Sequence, residues 1–153
     1  MPTDPIPLRQ WRTVVANVPI VSVDLLVTTD DGLLLGKRTN EPARGYYFPP
    51  GGRVEKFETR TEAVHRIADE ELGLDVEIIE SLGSFEHIYD TADVSGVNGK
   101  HYLANGFVVA ATGGRLQPDD QHENLRAFVD PPTPLHHYLR TYLDASEILP
   151  DWS

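Results

Sequence analysis

The residues from Gly51 to Leu74 combine groups that are able to hold a metal ion. The segment reads GGRVEKFETRTEAVHRIADEELGL, with a glycine pair at one end and adjacent carboxylates, Glu70 and Glu71, near the other. Hard divalent cations such as Mg²⁺ take oxygen ligands, and a glycine turn can add a backbone carbonyl to a carboxylate. The segment therefore suggests a divalent-cation site.

A short helix is expected to carry both carboxylates. The sequence Thr59-Arg60-Thr61-Glu62 is a capping-box pattern, so the helix should begin at about Thr59. Gly73 suits the left-handed residue that ends a helix. Arg66 lies one turn before Glu70, close enough to pair with it.

Glu71 is the acid expected on the buried face of this helix. At ~100° per residue it falls on one stripe with Val64, Ile67 and Ala68. A carboxylate on a packing face is costly without a partner, so Glu71 either extends to solvent, pairs with an arginine or binds a cation. The glycine turn that leads into the segment favours the cation.

Length and composition limit the class of protein. A chain of 153 residues is expected to form one domain, residues 1–153, with a substantial core. No apolar run approaches the ~20 residues of a membrane span, and the N-terminus lacks a secretory pattern. The chain has no cysteine, which excludes disulfides and thiolate metal sites. We expect a cytoplasmic protein that does not associate with a membrane.

The charge balance excludes another class. The chain has 24 acidic and 13 basic residues, for a net charge of −11, which argues against a nucleic-acid-binding surface. A local arginine cluster with a metal can still bind a small phosphate-bearing substrate. The acidic, lysine-poor composition is typical of a high-salt cytoplasm, where self-repulsion is screened, and is equally compatible with an ordinary acidic surface.

Hydrophobic patterning predicts strands that alternate with two helices. Strands are expected at Ile20–Val27, Leu33–Gly36, Tyr46–Phe48, Val76–Ile79, Ser84–Tyr89 and His101–Ala110. The second helix should run from Leu135 to Leu143, and residues 90–100 read as a long polar loop. This order favours a sheet sandwiched by helices.

The spacing of the first segment resembles the Nudix box. Gly52 is followed after five residues by Glu58, after seven more by Arg66, and then by Glu70-Glu71-Leu72-Gly73-Leu74. The resemblance implies an α+β fold, an α/β/α sandwich around a mixed sheet, and hydrolysis of a nucleoside diphosphate derivative with Mg²⁺ or Mn²⁺. The sequence departs from the box at Ile67, where the box has Glu.

A second set of residues is similar to one branch of that family, the GDP-mannose mannosyl hydrolases. These residues are Val23-Asp24, the stretches 34–40 and 42–48, Gly51-Gly52-Arg53-Val54, His101-Tyr102 and Asp120-Gln121-His122. That branch also lacks the same box acid, and its members attack the anomeric carbon of the sugar, releasing GDP and free hexose. With fewer metal ligands needed, Ile67 is free to join the core.

The resemblance implies a role for each site residue. It places Mg²⁺ on Glu71, the Gly51 carbonyl and Gln121. The roles it implies for the others are the following: diphosphate binding for Arg38 and Arg53, a donor to the leaving group for Tyr102, sugar binding or orientation for Asp24, and general base for His122, whose ordinary pKa lies near neutrality.

Each of these residues also has an ordinary structural interpretation. The arginines can be surface cations, and Asp24 can face solvent on an edge strand. His122 can cap or solvate a loop, as can His87, His101, His136 and His137. The shared pattern, more than any single residue, favours the functional interpretation.

Three functions remain open on the sequence. The first is Mg²⁺-dependent hydrolysis of a GDP-hexose, GDP-mannose or GDP-glucose, to GDP and free sugar. The second is a Nudix hydrolase that cleaves the diphosphate of a nucleotide sugar or a related compound, with Glu70 and Glu71 as two metal ligands. The third is a catalytically silent nucleotide-sugar sensor. No residue identifies the sugar or the base.

The N-terminal segment before Val21 carries apolar residues outside the predicted sheet: Trp11, Val14, Val15 and Val18. Such a segment either folds back over its own sheet or marks an interface. The resembled relatives are dimers that exchange N-terminal elements, so we predict a two-fold homodimer whose contact involves this segment.

Overall fold

The computed structural model describes residues 5–116 and 122–153, with the backbone alone described for residues 122–124. Its strands are β1 Ile20–Thr29, β2 Gly32–Arg38, β3 Tyr47–Phe48, β4 Gly51–Arg53, β5 Leu74–Tyr89, β6 Lys100–Gly114 and β7 His122–Phe128. Its helices are α1 Leu8–Asn17, α2 Arg60–Ile67, a π-helix at Ala68–Leu72 and α3 His137–Ala145. No helix within the described ranges has both the length and the apolar character needed to cross a membrane.

The strands form one mixed sheet of seven strands, which confirms the predicted fold class. The order is β3-β2-β1-β6-β5, with β4 antiparallel to β1 and β7 antiparallel to β2. β1 and β6 run parallel at the centre, in register from Ile20 opposite Tyr102 to Thr28 opposite Ala110.

Alternation along β1 sends side chains to two cores. Val23, Leu25 and Val27 pack beneath α2, with Val64 and Ile67 of that helix. Leu26 packs on the opposite face with Leu139 and Tyr142 of α3. The sheet therefore lies between helices on both faces, as the α/β/α sandwich requires.

The capping box and the terminal glycine are confirmed. The Thr59 side chain accepts from the backbone N–H of Glu62, and the Glu62 carboxylate accepts from the backbone N–H of Thr59. Gly73 has a left-handed φ of 69°. The expectation of one continuous α-helix was wrong, however, because its last turn widens into the π-helix at Ala68–Leu72. A π turn inserts an additional residue and re-aims those around it.

Several other boundaries differ from the predictions. The two strands predicted at 76–79 and 84–89 are one strand, β5, which bends at three register shifts along β6. β4 was read as a turn, and β7 was missed. α3 begins two residues later than the predicted start at Leu135. There the buried imidazole of His136 accepts from the Tyr138 N–H at 3.1 Å and caps the helix.

The N-terminal segment folds as α1 and lies against its own chain. Val15, which is 6% exposed, packs with Ile20 and Val94, and Trp11 contacts this cluster. Leu8 and Val18 remain 65% and 49% exposed. Folding back therefore accounts for part of the apolar surface, and the homodimer remains a prediction.

Candidate active site

A cavity of about 340 Å³ opens on the α3 face of the sheet. Five of the predicted site residues line it: Asp24, Arg38, Gly51, Arg53 and Tyr102. They come from β1, β2, β4 and β6, so the central strands bring together residues that are far apart in sequence. The cavity has the size and mixed lining of a small-molecule site.

Asp24 lies inside the protein, and the interpretation of it as a solvent-facing edge residue is wrong. It is 9% exposed on the central strand β1, and its Oδ2 accepts from Oη of Tyr142 at 2.5 Å. Burial first, and then the Asp24 carboxylate, raise the pKa of Tyr142 far above its ordinary value, so Tyr142 stays a donor. Asp24 is a buried acceptor whose orientation is fixed from α3.

Gly51 lies directly opposite Asp24 in the β1–β4 pairing. A Cβ at Gly51 would come within 2.5 Å of Asp24 Oδ1. No other residue fits at that distance, so the glycine lets the β4 backbone lie against the Asp24 carboxylate. Gly51, whose carbonyl is a predicted metal ligand, lines the cavity.

The two predicted phosphate-binding arginines lie on opposite sides of the glycine turn. Arg38 closes the loop between β2 and β3. Its N–H donates to the Tyr46 carbonyl, its carbonyl accepts from the Gly45 N–H, and its Nε donates to the Pro42 carbonyl at 3.2 Å. The Arg53 guanidinium lies over the Trp11 ring, 5.6 Å from its centroid. Both arginines are partly buried at the cavity, which is not the surroundings of an ordinary surface cation.

Arg66 joins the start of the predicted metal segment to its end. Its Nε and Nη2 donate to the two oxygens of Glu58 at 2.7 and 3.0 Å, and Nη2 also donates to the Arg53 carbonyl at 2.8 Å. The predicted pair with Glu70 is confirmed at 3.3 Å. Burial raises the pKa of Glu58. Hydrogen bonds from Arg66 and from the Glu55 N–H lower it by a larger amount, so the net shift is downward. Glu58 is therefore ionised, and its two oxygens hold the Arg66 guanidinium in place.

Ile67 explains the departure from the Nudix box. It is 1% exposed, belongs to the core beneath α2, and would contact a Cβ on Gly52 at 3.1 Å. Glu70 is half exposed, whereas Glu71 is only partly exposed between the buried Ala68 and Leu72. Of the two adjacent acids, Glu71 is thus the one nearer the core, although the π turn leaves it less buried than we expected.

The predicted metal ligands are one carboxylate, one peptide carbonyl and one amide. In the parts of the chain that the structure describes, no three or more His, Asp or Glu side chains cluster in a way that would hold a metal ion. The predicted set is not a cluster of that kind. Its three oxygens are hard donors, which suit Mg²⁺.

Gln121 lies outside the described residues. Of His122, the backbone is described: it begins β7 and pairs with Arg38 of β2. Strand pairing therefore brings the residue predicted as general base next to the residue predicted to bind phosphate. Its catalytic role remains a prediction.

The sequence interpretation missed His87 and Tyr89, which line the cavity from β5. His87 is 2% exposed and stacks on Tyr138, with ring centroids 4.1 Å apart. Burial, and then the charges of His136 and His137, lower the pKa of His87 to about 4, so it is neutral near pH 7. Its Nε2 has no hydrogen-bond partner among the described residues. Ile88 between them is 60% exposed, and this alternation is the signal that would have assigned both to the inner face.

Two further residues complete the cavity wall. Lys100, at the start of β6, and Trp11, in α1, both line it. The sequence interpretation placed Lys100 at the end of a polar loop, and it considered Trp11 for an interface or for packing over its own sheet, not for the site. Their positions depend on how α1 and the 90–99 loop pack, which no local pattern records.

Comparisons with known proteins give the family context. A model of the NUDIX domain matches residues 18–151. The chain is 54% identical to a low-salt glycan biosynthesis protein, Agl8, of Haloferax volcanii over 144 residues, 94% of this chain and 92% of that protein. It is 34% identical to an ADP-ribose pyrophosphatase of Methanocaldococcus jannaschii over 110 residues, 72% of this chain and 62% of that protein. Among solved structures, a MutT NUDIX hydrolase from Burkholderia pseudomallei superposes with a TM-score of 0.69 at 33% identity, over 83% of this chain and 97% of that one.

Proposed function

The chain belongs to the NUDIX family, and from that premise we propose that it hydrolyses a GDP-hexose, GDP-mannose or GDP-glucose, at the anomeric carbon. Water replaces the diphosphate on the sugar, so the products are GDP and free hexose. The carbon–oxygen bond of the sugar breaks and both phosphorus–oxygen bonds of the bridge stay intact.

The observation that carries this proposal is the burial of Ile67. It stands where the Nudix box has a carboxylate, is 1% exposed, and packs in the core beneath α2. That position therefore offers no oxygen to a metal. Both oxygens of Glu58 are bonded to Arg66. We assign the metal to Glu71, the acid of the adjacent pair that lies nearer the core, as the resemblance implies. A single-carboxylate site suits stabilisation of a leaving diphosphate better than activation of a nucleophile at phosphorus.

The cavity lining supports a substrate with two different halves. Arg38 and Arg53 supply charge for a diphosphate, since guanidinium groups bind phosphate oxygens by charge-assisted hydrogen bonds. Asp24, His87 and Tyr89, which also line the cavity, supply an acceptor, a neutral imidazole and a phenol. Burial first, and then Asp24, raise the pKa of Tyr89 far above its ordinary value, so it stays protonated. Such groups suit the hydroxyls of a sugar.

Glu71, the Gly51 carbonyl and Gln121 would hold Mg²⁺, with Mn²⁺ as a second option. The bound cation would neutralise the charge that builds up on the departing diphosphate. Arg66 contributes indirectly, because it fixes the Arg53 carbonyl and the loop before α2. The protein's own task at this end of the site is therefore to hold the diphosphate still.

The remaining steps are proton transfers. His122 is proposed to take the proton from the attacking water, since an imidazole near its ordinary pKa is half neutral close to pH 7. Tyr102, which lines the cavity, donates a hydrogen bond to the leaving diphosphate. Asp24, held by Tyr142, binds a sugar hydroxyl and orients the hexose for attack.

The relatives support the substrate class. A name that refers to glycan biosynthesis, carried by the Haloferax volcanii relative, fits a nucleotide-sugar substrate. That source also fits the proposal that the net charge of −11 reflects a high-salt cell.

Cleavage of the diphosphate is the second candidate, and the ADP-ribose pyrophosphatase relative favours it. In that reaction Glu70 and Glu71 would both bind metal, and the products would be a nucleoside monophosphate and a sugar phosphate. A nucleotide-sugar sensor without activity is the third candidate.

Identification of the products separates these functions. The protein with Mg²⁺ is incubated with a panel of GDP-, ADP- and UDP-sugars, and the released compounds are identified by NMR. We expect free hexose and GDP from a GDP-hexose. Sugar phosphate would support diphosphate cleavage, and no product from any panel member would support the sensor.

A further inference from the structure

Lys100 is a buried cation in the wall of the cavity. Its side chain is 7% exposed, and it is one of three lysines in the chain. Lysine is almost never this buried without a charged partner, because removal of an ammonium group from water is costly. The burial of Lys100 therefore has to be explained by the groups around it.

The partner of Lys100 in the described structure is Asp93. Nζ lies 2.8 Å from Asp93 Oδ1 and 5.3 Å from the centroid of the Tyr102 ring. Burial lowers the pKa of Lys100, but Tyr102 and Asp93 raise it by more, so Lys100 is charged at neutral pH. The cavity thus contains a third fixed positive charge beside Arg38 and Arg53.

Lys100 lies close to Tyr102 and shares the Trp11 ring with Arg53, and we assign both of these residues to the diphosphate. It is two residues from Tyr102 on β6, so both side chains leave the same face of the sheet. Nζ lies 6.0 Å from the centroid of the Trp11 ring, and the Arg53 guanidinium lies 5.6 Å from the same centroid. Lys100 and Arg53 therefore both lie against the Trp11 ring.

Asp93 is placed to exchange its cation for a ligand. It lies in the 90–99 loop, lines the cavity, and has a side chain that is 37% exposed. The next residue, Val94, is 7% exposed and anchors the loop against Val15 and Ile20. An anchored loop lets the Asp93 side chain rotate to solvent without loss of the fold. Lys100, which is far more buried, has no such freedom.

We propose that Lys100 is a binding residue for the diphosphate of the substrate, and that Asp93 holds its ammonium group towards the cavity until the diphosphate replaces the carboxylate. The proposal rests on the function proposed above. A diphosphate brings more negative charge than one carboxylate and several oxygens, so it is the stronger partner for a cation that is already desolvated. Lys100 thereby adds to the affinity for nucleoside diphosphates, and Asp93 limits it.

Binding of GDP with Mg²⁺, measured by isothermal titration calorimetry, tests this proposal because the two partners should have opposite effects. Lys100→Met should weaken binding about 10- to 100-fold, the usual value of a charged hydrogen bond. Asp93→Asn should tighten binding by about 2- to 5-fold, because a competing carboxylate is removed. Lys56→Met, which removes an exposed lysine beside the exposed ring of Phe57, should leave affinity unchanged. Circular dichroism confirms that each variant folds, and Lys100→Arg, which keeps the charge, should retain most of the affinity.

Two results with the variants would overturn the proposal. One is equal affinity in Lys100→Met and the wild type. The other is weaker binding in Asp93→Asn as well as in Lys100→Met, since a purely structural ion pair is damaged from either side. Wild-type protein that binds none of GDP, ADP and UDP would contradict it too.

Product analysis on the same samples keeps the two proposals apart. If the wild type releases free hexose but Lys100→Met binds GDP normally, the role of Lys100 fails and the proposed function stands. If GDP binding depends on Lys100 but the wild type releases sugar phosphate, the proposed reaction fails and the role of Lys100 stands.

Discussion

The two sides of the cavity are built by different means. The helix-side wall is our name for the segment 51–72, of which Gly51, Gly52 and Arg53 line the cavity. This segment is held by ion pairs between near neighbours in sequence, with Arg66 bound to Glu58 and Glu70. The strand-side wall, formed by Trp11, His87, Tyr89, Lys100 and Tyr102, is held by aromatic contacts and by distant partners such as Tyr138. The first wall is a local motif that any family member can present. The second depends on the packing of this chain and is where we expect substrate choice to be made.

The two walls also differ in the chemical groups that they offer to a substrate. In the proposed function, the helix-side wall supplies the charged groups that bind the diphosphate and its cation. The strand-side wall supplies buried groups that stay neutral near pH 7, His87 and Tyr89, and one buried cation, Lys100. Mutations of the proposed metal- and phosphate-binding residues of the first wall, Gly51, Arg53 and Glu71, should reduce activity with every substrate. Mutations of the second wall should alter affinity and selectivity.

The largest effect is expected on the helix-side wall at Glu71. Glu71→Gln should lower kcat/KM with Mg²⁺ by about 10³-fold or more, since metal stabilisation of a leaving group contributes several kcal/mol. Glu70→Gln is the matched control on the adjacent, half-exposed acid and should cost far less. Steady-state kinetics across a Mg²⁺ titration measures both. Comparable losses would mean that two carboxylates bind metal and would favour diphosphate cleavage.

His122 is not among the residues by which we defined the two walls, and its substitution tests the proposed general base by itself. His122→Ala should lower kcat by about 10²- to 10⁴-fold with little change in Mg²⁺ affinity, the usual cost of a lost general base. The acidic limb of the pH–rate profile should disappear with it. If that limb persists in the variant, the base is another group, and His87 is not a candidate because its pKa is already lowered to about 4.

The pH dependence of the free energy of unfolding should also differ between the two walls, with smaller effects than those on activity. His87 and His136 each have a pKa lowered from 6.5 to about 4, by burial first and then by neighbouring histidines. The unfolded chain therefore takes up protons before the folded one does, and stability falls as pH drops from 6.5 towards 4. The Glu58 pKa is lowered from 4.5, so its contribution is present above pH 4.5 and is lost only as pH falls further.

Single substitutions test which groups cause the loss of stability in each pH range. His87→Phe, which keeps a ring against Tyr138, should reduce the loss of unfolding free energy between pH 6.5 and 4 by about 1–3 kcal/mol. Arg66→Gln should change the curve chiefly below pH 4.5. His65→Asn, at an exposed position of α2, is the control. Urea unfolding at each pH measures these values, and equal slopes in the wild type and His87→Phe would contradict the assignment.

The smallest effect on catalysis is expected from assembly. We predict a homodimer whose contact includes α1, where Leu8 and Val18 are 65% and 49% exposed and Val21 beside them is 43% exposed. Light scattering across a salt series should give twice the chain mass, most completely at high salt, where the charge of −11 on each subunit is screened. A Leu8→Glu variant should shift the mass towards that of one chain. A fully active wild-type monomer at high salt would exclude the dimer.

The sequence predicted the helix-side wall far better than the strand-side wall. The capping box, Gly73 and the pairing of Arg66 with Glu70 are local, so spacing alone was sufficient. The π-helix was not predictable, because it depends on how the last turn packs. β7 and α1 were missed as elements. For α1 the signal was present, because Leu8, Trp11, Val14, Val15 and Val18 follow the spacing of one helix face.

The candidate site shows the same division. The positions of Asp24, Arg38, Gly51, Arg53 and Tyr102 around one cavity were predicted from a resemblance that covers most of the chain, and all five line that cavity. His87, Tyr89, Lys100 and Trp11 were not identified, because burial and ring stacking between distant segments decide their roles. His87 looked like any loop histidine in sequence, and only the fold makes it a buried neutral group.

Hydrolysis in oxygen-18 water tests the central claim most directly. The wild-type protein is incubated with Mg²⁺ and GDP-mannose or GDP-glucose, and both products are examined by mass spectrometry and NMR. Attack at the anomeric carbon places the label in the free hexose and none in GDP. Label in a phosphate group of either product would show attack at phosphorus and would contradict the proposed reaction.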